Sequence, residues 1–497
     1  MRLTQTFYFL LLLSGLSTAS YAQGQSAVSP GTGNTAANTV LPSRVNLQQC
    51  IDIARQNNIS IRQAQLTTEN SNLQLRQAQL NRLPVANFQG NQSLSGGRNI
   101  DPRTNQFVQQ SITSGNYQLN ASATIFNGFV LQNTIRQSDL TLQATQQELK
   151  TTENNVSINV AQFYLNVLTN NEQLVVAQRQ ADIARAQLSR TERLVSAGSL
   201  PEANLYDLRA QLASNELDIV NAQNNVDLAK VSLLQVMNVP INLSIEVEPV
   251  AIPDPTVAPY AQTVQQVYEI AERSLPDVAG ADLRVRAAGL GVEVAKGSLY
   301  PVLSISGNLS SLYSSAAQQQ SLNGQMTQQQ TVYFATGPDG SQVPIYASVP
   351  GFDVTGLPLG TQLGNNLNRS VSLILRVPIF QGYQSRNRIT TARIQQQNAE
   401  LSAQNVRLNL RQQIETAYTN LRASANRYVA TQSQVTSLER AFAVSESRLN
   451  AGAINATDYN IAKSNLDRAR ASLIQSRYDY VFRTKILDFY QNKPLSF

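Results

Sequence analysis

The sequence contains one long unit written twice, and this repeat constrains the fold more than any other feature. Residues 47–54 return 217 positions later as residues 264–271, with Gln at the second and third positions of both copies. The Phe-x-Gly-aromatic motif at residues 126–129 returns 254 positions later at residues 380–383. The two offsets differ by 37, so the second copy carries 37 extra residues before position 380. Such a repeat predicts two copies of one supersecondary unit, with pseudo-symmetry in whatever the unit does.

The N-terminal segment has the features of a secretory signal peptide. Arg2 precedes an apolar run at residues 7–13, and small residues occupy positions 20 and 22, as cleavage after Ala22 requires. We expect residues 1–22 to be removed and residues 23–44, which are mostly small and polar, to form a disordered leader. No later stretch approaches the roughly 18 apolar residues that a membrane-spanning helix needs. A membrane location would therefore require strands.

The mature chain divides into two repeats joined by a linker. The first repeat covers residues 45–238, the second covers residues 263–497, and a Pro-rich segment at residues 239–262 is the crossover between them. The 38 basic and 32 acidic residues are spread along the chain. The formal net charge of +6 therefore gives no case for nucleic-acid binding.

The residue inventory argues against an enzyme. The sequence has no His, no Trp and one Cys, so a Ser-His-Asp triad, a His/Cys metal cluster or a disulfide framework cannot be assembled. We expect no catalytic activity, no cofactor and no metal site. The single thiol, Cys50, lies on the apolar face of a short helix pattern and is expected to be buried. It lies too far from the cleavage point to carry a lipid anchor.

The middle of each repeat has a seven-residue hydrophobic period, which indicates a long supercoiled helix. The two series are Val160, Val167, Leu174, Ala181, Leu188 and Val195 in the first repeat, and Ile414, Leu421, Tyr428, Val435, Phe442 and Leu449 in the second. A period of 3.5 residues keeps one seam facing a partner helix only if the helices supercoil left-handedly. The pattern at residues 129–197 would span on the order of 100 Å. An ordinary globular core needs no helix of that length.

A glycine ends each long helix pattern. Ala197-Gly198 and Ala451-Gly452 interrupt the heptads, and helical sequence resumes at residues 202–237 and 458–490. Glycine supplies the left-handed conformation that commonly ends a helix, and Pro201 suits a first helical turn. Each site is therefore predicted to be the tip of an antiparallel helical hairpin.

Upstream of each long helix the period changes from seven to two. Apolar residues alternate with Ser, Asn, Thr and Gln at residues 117–125, 303–310 and 370–379, and more weakly at residues 88–94. Four strands of about ten residues, each with an apolar face and a hydroxyl or amide face, are typical of a transmembrane β-barrel. A soluble antiparallel sheet with one face on a core is the alternative. The helices that follow the strands, however, are too long to fold back over such a sheet.

Four strands cannot close a barrel. A sheet with open edges is not viable in lipid, and single barrels begin at about eight strands, so several chains must share one barrel. The heptad seams require helical neighbours as well. A cyclic oligomer with a β-barrel at one end and a long helical barrel attached to it meets both requirements.

The order of these elements resembles the TolC-type outer-membrane efflux proteins. The match covers about residues 45–495, and the local stretches at residues 97–102, 126–129 and 488–495 resemble the branch found in Bacteroidetes. The resemblance implies an α+β membrane protein. It would be a homotrimer that shares a 12-stranded transmembrane β-barrel in the outer membrane, continued by a long periplasmic α-helical coiled-coil barrel. It also implies a periplasmic adaptor protein and an inner-membrane transporter as partners.

The resemblance further implies which residues dock on the adaptor. In that family the hairpin tips meet the adaptor, and the matching residues here are Gly198, Leu200, Gly452 and Ile454. Leu200 and Ile454 are apolar where a free tip would be polar. Both glycines are needed for the turn whether or not an adaptor docks, so a purely structural role is the alternative.

The periplasmic gate is a second site that the resemblance implies. In that family acidic residues stand six and nine positions after the tip glycine, which here correspond to Asn204 and Asp207, and to Asp458 and Ile461. Each repeat therefore keeps one Asp, at a different position. Symmetry would bring the copies of Asp207 and Asp458 together near the axis, where they would attract cations. Alternatively, Asp458 only interacts favourably with the N-terminus of the returning helix.

Alternation assigns the faces of the fourth strand and the positions of the loops. Leu373 and Leu375 should face lipid, whereas Ser372 and Arg376 should face the barrel lumen. With the helices on the periplasmic side, residues 96–115 and 314–369 should be extracellular loops. The second loop carries the extra residues and two Gln-rich runs, and it resembles a flexible cap over the barrel mouth. A variable solvated loop without function is the alternative.

These features favour a channel over a catalyst. We expect an outer-membrane exit channel of a tripartite efflux or type I secretion system, which conducts substrates from the inner-membrane pump and adaptor to the exterior. A non-conducting coiled-coil surface protein or adhesin is the alternative. An adhesin stalk, however, needs neither a pair of barrel strands in each repeat nor two helical hairpins.

Overall fold

The computed structural model describes residues 42–100, 105–109, 111–250, 260–336 and 338–493. The predicted signal peptide, nearly all of the leader and the centre of the Pro-rich linker lie outside these residues. The chain forms two compact units. The first takes its described residues from segments 1–62, 153–264 and 415–497, and the second from segments 63–152 and 265–414. Each unit thus combines parts of both repeats.

The helices of the two repeats match one another in length. In chain order they are α1 (Leu47–Asn57), α2 (Ile59–Leu80), α3 (Val130–Ser196), α4 (Ala203–Met237), α5 (Val264–Ser274), α6 (Pro276–Gly297), α7 (Leu359–Asn365), α8 (Gln384–Asn450) and α9 (Ala456–Tyr490). The pairs α1/α5, α2/α6, α3/α8 and α4/α9 have 11, 22, 67 and 35 residues in both copies. The predicted long helices and returning helices are therefore confirmed. None of the helices in the described ranges is long and apolar enough to span a bilayer.

The strands include all four that the sequence predicts. In chain order they are β1 (Arg44–Val45), β2 (Val85–Ser95), β3 (Arg98–Ile100), β4 (Phe107–Gln109), β5 (Ile112–Phe126), β6 (Glu246–Val247), β7 (Val302–Ser314), β8 (Gln318–Thr336), β9 (Gln342–Gly356) and β10 (Asn368–Arg376). β1 pairs in parallel with β6. Arg44, which the sequence assigns to the leader, and Val247, which it assigns to the linker, therefore belong to a small sheet.

The first unit is built from helices around this small sheet. The Tyr164 hydroxyl of α3 is buried and donates to the Glu248 carbonyl oxygen at 2.7 Å, which attaches the strand region to the long helix. Cys50 is fully buried, as expected. The heptad positions Val160, Val167 and Ala181 are buried. The heptad positions Ile414, Leu421, Tyr428 and Val435 of the second repeat are buried as well. The heptad period thus marks real packing seams.

The second unit contains a four-stranded antiparallel sheet with the order β10-β7-β5-β2. The helix α6 and nearly all of α2, its counterpart in the first repeat, lie in the same unit. Arg407 of α8 donates to Glu272 at 3.1 Å and to both carboxylate oxygens of Asp282 at 2.8 Å. Arg284 of α6 forms an ion pair with Glu148 of α3. Because these charge pairs are partly exposed, each adds little to stability.

The Phe-x-Gly-aromatic motif forms the turn between strand and long helix in both repeats. Gly128 and Phe129 both have positive φ, 66° and 62°, and Gly382 and Tyr383 repeat this with 54° and 62°. The rings of Phe126 and Phe129 meet edge to face with centroids 5.5 Å apart. Two successive left-handed residues make a tight turn between strand and helix, and glycine is favoured at the first because it accepts this conformation without strain.

Several strand boundaries differ from the prediction, and at the start of the second loop Ser314 still belongs to β7. Gly115 was expected in a loop but lies in β5, where it pairs with Gln92 and Tyr313. Arg369 was also expected in a loop but lies in β10. β10 ends at Arg376 although the apolar alternation continues to residue 379, and Pro378 explains this because proline has no N–H to donate to a ladder.

The proposed flexible cap at residues 314–369 is instead a regular structure. β8 and β9, of 19 and 15 residues, pair antiparallel over most of their length, and α7 follows them. The first loop likewise contains a short hairpin of β3 and β4. The sequence does not predict these strands because the Gln and Thr side chains of β8 give no apolar alternation, although its backbone pairs with β9.

Candidate functional site

The four-stranded sheet separates apolar and polar side chains onto two faces. The register places Leu373 opposite Ile305, and Ile305 opposite Ala123. Side chains alternate across a strand, so Leu375 with its neighbour Leu303 and Leu119 with its neighbour Phe88 lie on this same face. Leu373, Phe88 and Leu119 are 66%, 66% and 42% exposed. A sheet in water would cover such a face, whereas a sheet in lipid would leave it exposed.

The opposite face carries hydroxyl and amide groups. The register aligns Ser372, Ser306 and Ser122 across three strands. The Asn308 amide donates to Asn120 Oδ1 at 2.7 Å, and the Ser93 and Ser114 hydroxyls share a hydrogen bond of 2.8 Å. The structure therefore confirms that each strand has one apolar and one polar face.

Arg376 lies on the polar face at the last position of β10, opposite Val302. This agrees with the alternation that assigned it to the same side as Ser372. Ile374, between them, is an apolar residue on the polar face that the sequence argument passed over.

The outer strands of the sheet have open edges. Within the described ranges β2 pairs only with β5 and β10 only with β7, so each leaves one row of backbone groups without a strand partner. Val371 on β10 is 78% exposed. Unpaired backbone groups are not tolerated in lipid, so both edges need strands from elsewhere.

Both predicted hairpin tips are tight helix-ending turns of the same geometry. Gly198 has a φ of 71° and donates to the Val195 carbonyl at 2.9 Å, while the next residue, Ser199, donates to the Leu194 carbonyl at 2.9 Å. Gly452 has a φ of 67° and donates to the Leu449 carbonyl at 3.0 Å. This is the Schellman arrangement, for which glycine is preferred. Leu200 and Ile454 are half-buried beside the turns.

The two returning helices start differently. Asn455 caps α9 by accepting the Asp458 backbone N–H at 2.7 Å on its side-chain oxygen, whereas Glu202 makes no such bond at the start of α4. Asp458 is thus the third residue of α9, and its exposed carboxylate lies near a helix N-terminus, where negative charge is favoured. Asn455 therefore supplies the side-chain cap, and the position of Asp458 in the first turn agrees with the alternative that it interacts with the helix N-terminus.

The structure places one of the three predicted gate residues, Asp207, in a groove. Asp207 and its repeat-related position Ile461 line one groove of about 570 Å³ between α4 and α9. Arg468 and Asn465 line the same groove. Asn204 and Asp458 are not among its lining residues. The guanidinium of Arg468, which the sequence does not predict near this groove, adds a positive charge to its lining.

A buried polar cluster lies further along the same helices. Lys463 of α9 is only 5% exposed, and burial lowers its pKa. Burial raises the pKa of Asp467, one turn later, while Gln180 of α3 donates to its Oδ1 at 2.5 Å. Asn215 of α4 in turn donates to the Gln180 carbonyl at 3.2 Å. No sequence pattern predicts this cluster, because neither charged residue stands out from the polar residues around it.

The chain is similar to known export proteins along most of its length. The family model described as "Outer membrane efflux protein" matches residues 50–239 and 267–487. The pyoverdine export outer membrane protein OpmQ of Pseudomonas putida is 26% identical over 52% of this chain and 55% of its own length. The chain thus matches about half the length of that curated relative.

Solved structures share the fold over nearly the whole chain. The outer membrane protein VceC of Vibrio cholerae is 16% identical, with a TM-score of 0.64 and coverage of 90% of this chain and 97% of that chain. The outer membrane channel MtrE of Neisseria gonorrhoeae, solved in its open state, is 16% identical, with a TM-score of 0.63 and coverage of 90% and 88%. The two segments that the family model matches cover both repeats and omit nearly all of the linker, as expected for two copies of one unit. The chain belongs to the outer membrane efflux protein family.

Proposed function

We propose that this protein is the outer-membrane exit channel of a tripartite export system, formed by three copies of the chain. The single observation that carries the proposal is the four-stranded sheet, which has one exposed apolar face, one hydroxyl and amide face, and two open edges. Three copies supply twelve strands, which exceeds the roughly eight at which closed barrels begin. The apolar face then contacts lipid and the polar face lines a water-filled lumen.

The pairing between copies follows from strand direction. β10 and β2 run antiparallel within the sheet, because each of the three pairings that separate them is antiparallel. β10 of one copy can therefore pair with β2 of the next in the antiparallel sense that membrane barrels use. Three such seams close the ring. Arg376, at the helical end of β10, would then form a ring of three cations at that end of the lumen.

Cysteine cross-linking between the sheet edges tests this arrangement. Leu373→Cys on β10 would be combined in turn with Ala86→Cys and Phe88→Cys on β2, which share its face. The native Cys50 does not interfere, because it is buried and burial raises its pKa to about 12. We expect covalent dimers and trimers on non-reducing gels. The control pair, Ile305→Cys on the central strand β7 with Phe88→Cys, should give none, and a folded protein without cross-links in either edge pair would contradict the shared barrel.

The helical tips are proposed as the docking site for a periplasmic adaptor, through which an inner-membrane transporter delivers substrate. Support comes from the matching tip geometry in both repeats and from the half-buried apolar residues Leu200 and Ile454 beside it. Leu200→Asp with Ile454→Asp should abolish export while the oligomer still forms. Unchanged export in this double variant would place docking elsewhere.

A further inference from the structure

The long hairpin of β8 and β9 exposes apolar side chains along one face, while Val343 and Ile345 are exposed on the other. On β9 the residues Tyr346, Phe352 and Val354 share a side, and Leu322 lies opposite Phe352 in the register. Met326 and Phe334 occupy the same face of β8. All six side chains are at least half exposed, from 50% for Phe334 and Phe352 to 68% for Leu322. We call these six residues the hairpin face.

The hairpin is held firmly at its base. Gln362 of α7 is 1% exposed, accepts the Ser314 N–H at 2.9 Å and donates to the Leu357 carbonyl at 2.8 Å. These bonds tie the end of β7 to the chain that leaves β9. Hydrogen bonds also stabilise the two register shifts in β8. The Gln325 backbone N–H donates to Asn323 Oδ1 at 3.0 Å, and the Thr331 hydroxyl donates to the Ile345 carbonyl at 2.9 Å. The hairpin face therefore has a defined position relative to the sheet.

The charge of the hairpin limits what can cover this face. Residues 314–368 contain no Lys or Arg. Of their two acids, Asp339 accepts hydrogen bonds from the Ser341 backbone and hydroxyl, which lower its pKa, and Asp353 is 3.4 Å from the Asn323 amide nitrogen. Without cations the hairpin does not suit anionic lipid headgroups. An uncharged apolar face of this kind suits another protein surface.

The short hairpin of β3 and β4 offers such a surface. Ile100 and Phe107 are register partners and are 53% and 67% exposed. The guanidinium of Arg98 stands 4.9 Å from the Phe107 ring centroid. Within one chain, the short hairpin joins β2 to β5 and the long hairpin joins β7 to β10. Because β5 pairs with β7, the two hairpins start from neighbouring strands. Their apolar residues nevertheless remain exposed to the degree given above.

The other neighbour of the long hairpin belongs to the next copy, across the seam where β10 and β2 pair. In the shared barrel, which is part of the proposed function, β10 of one copy pairs with β2 of the next. The long hairpin of one copy therefore stands beside the short hairpin of its neighbour. We propose that the hairpin face, near Leu322 and Phe352, docks on Ile100 and Phe107 of the neighbouring copy. The contact forms a clasp between copies on the side of the barrel away from the helices.

Cysteine cross-linking can test the clasp and separate it from the barrel. The variant Ile100→Cys with Leu322→Cys should give covalent dimers and trimers on oxidation. The matched control is Ile100→Cys with Ser321→Cys, since Ser321 is the next residue and points to the opposite face. The control should yield at least tenfold less cross-linked product, given that only one face meets the neighbour.

The outcomes are distinguishable. If the β10–β2 edge pair cross-links but the Ile100/Leu322 pair gives only monomer, the clasp is wrong and the channel proposal stands. If neither pair cross-links, both are wrong. Equal yields from the variant and its control, or a cross-link to a different protein, would also overturn the clasp. A second readout avoids cysteines: Phe352→Ser should lower the temperature at which the oligomer dissociates in detergent, whereas Val332→Ser, an 86% exposed residue off the defined face, should not.

Discussion

The two repeats agree in their framework and differ at their ends. Their four pairs of helices have identical lengths, and their strand-to-helix turns and hairpin tips share the same left-handed residues. They differ in the hairpin between their strands, which is three residues per strand in the first repeat and 15 to 19 in the second. They also differ in the cap of the returning helix. In the proposed channel the shared parts would form the barrel and the helical tunnel, so the differing parts are where one repeat can act without the other.

The largest expected effect comes from the two faces of a strand. Leu373→Arg should lower the free energy of unfolding from a membrane by roughly 2–4 kcal/mol, because it places a charge on the face assigned to lipid near the bilayer midplane. The matched variant Ser372→Arg, one residue away on the polar face, should have little effect. Refolding into lipid vesicles under denaturant titration measures both. Equal tolerance at the two positions would contradict the face assignment.

Alanine substitution of the glycines in the strand-to-helix turns should destabilise the two repeats to different extents. A Cβ at Gly128 would lie 2.6 Å from the Gly297 carbonyl oxygen and 2.6 Å from the Tyr300 Cβ, whereas at Gly382 no such atom lies within 4 Å. Both residues have positive φ, so alanine costs about 1–2 kcal/mol at each. Gly128→Ala should cost clearly more, because it also adds the clash. Thermal unfolding of the two variants makes the comparison, and similar losses would mean that the first turn relaxes freely.

A smaller difference is expected at the helix caps. Asn455→Ala should destabilise the tip of the second repeat by about 1 kcal/mol, since it removes the acceptor for the Asp458 N–H. Glu202→Ala removes no side-chain cap and should be nearly neutral. Amide hydrogen exchange at the start of each returning helix reports the local effect. Faster exchange in the first repeat on mutation of Glu202 would show an unrecognised cap there.

The smallest effect concerns the proposed gate. Asp458→Asn together with Asp207→Asn should reduce the cation selectivity of single channels without changing oligomer stability, because three copies of each carboxylate would lose their charge near the axis. Since Arg468 lines the groove of Asp207, the single variant Asp458→Asn should account for most of the change. Unchanged selectivity in the double variant would locate the gate elsewhere.

Much of this architecture could be predicted from the sequence, because periodicity reports packing. The heptads, the glycine tips and the alternating strands all follow from patterns of apolar residues, and each is present in the structure. The β8–β9 hairpin was missed because Gln318–Thr336 lacks apolar alternation and pairs mainly through its backbone. The end of β10 was overestimated because apolar alternation continues past the point where Pro378 stops the ladder.

Side-chain chemistry between distant helices was harder to predict. The burial of Lys463 and the contact from Gln180 to Asp467 depend on how α3 and α9 pack, which no local pattern of the sequence encodes. The same holds for the groove that Asp207 and Arg468 both line. The spacing from each tip glycine predicts where the acidic residues lie but not which side chains surround them.

The central claim is that copies of this chain enclose a water-filled path through the outer membrane. Single-channel recording of the purified oligomer in a planar bilayer tests it most directly. We predict discrete conductance steps, carried by native protein and lost in an oligomer denatured before reconstitution. A folded, membrane-inserted oligomer that gives no conductance at any voltage, even with salt concentration raised, would contradict the claim and favour the non-conducting surface protein.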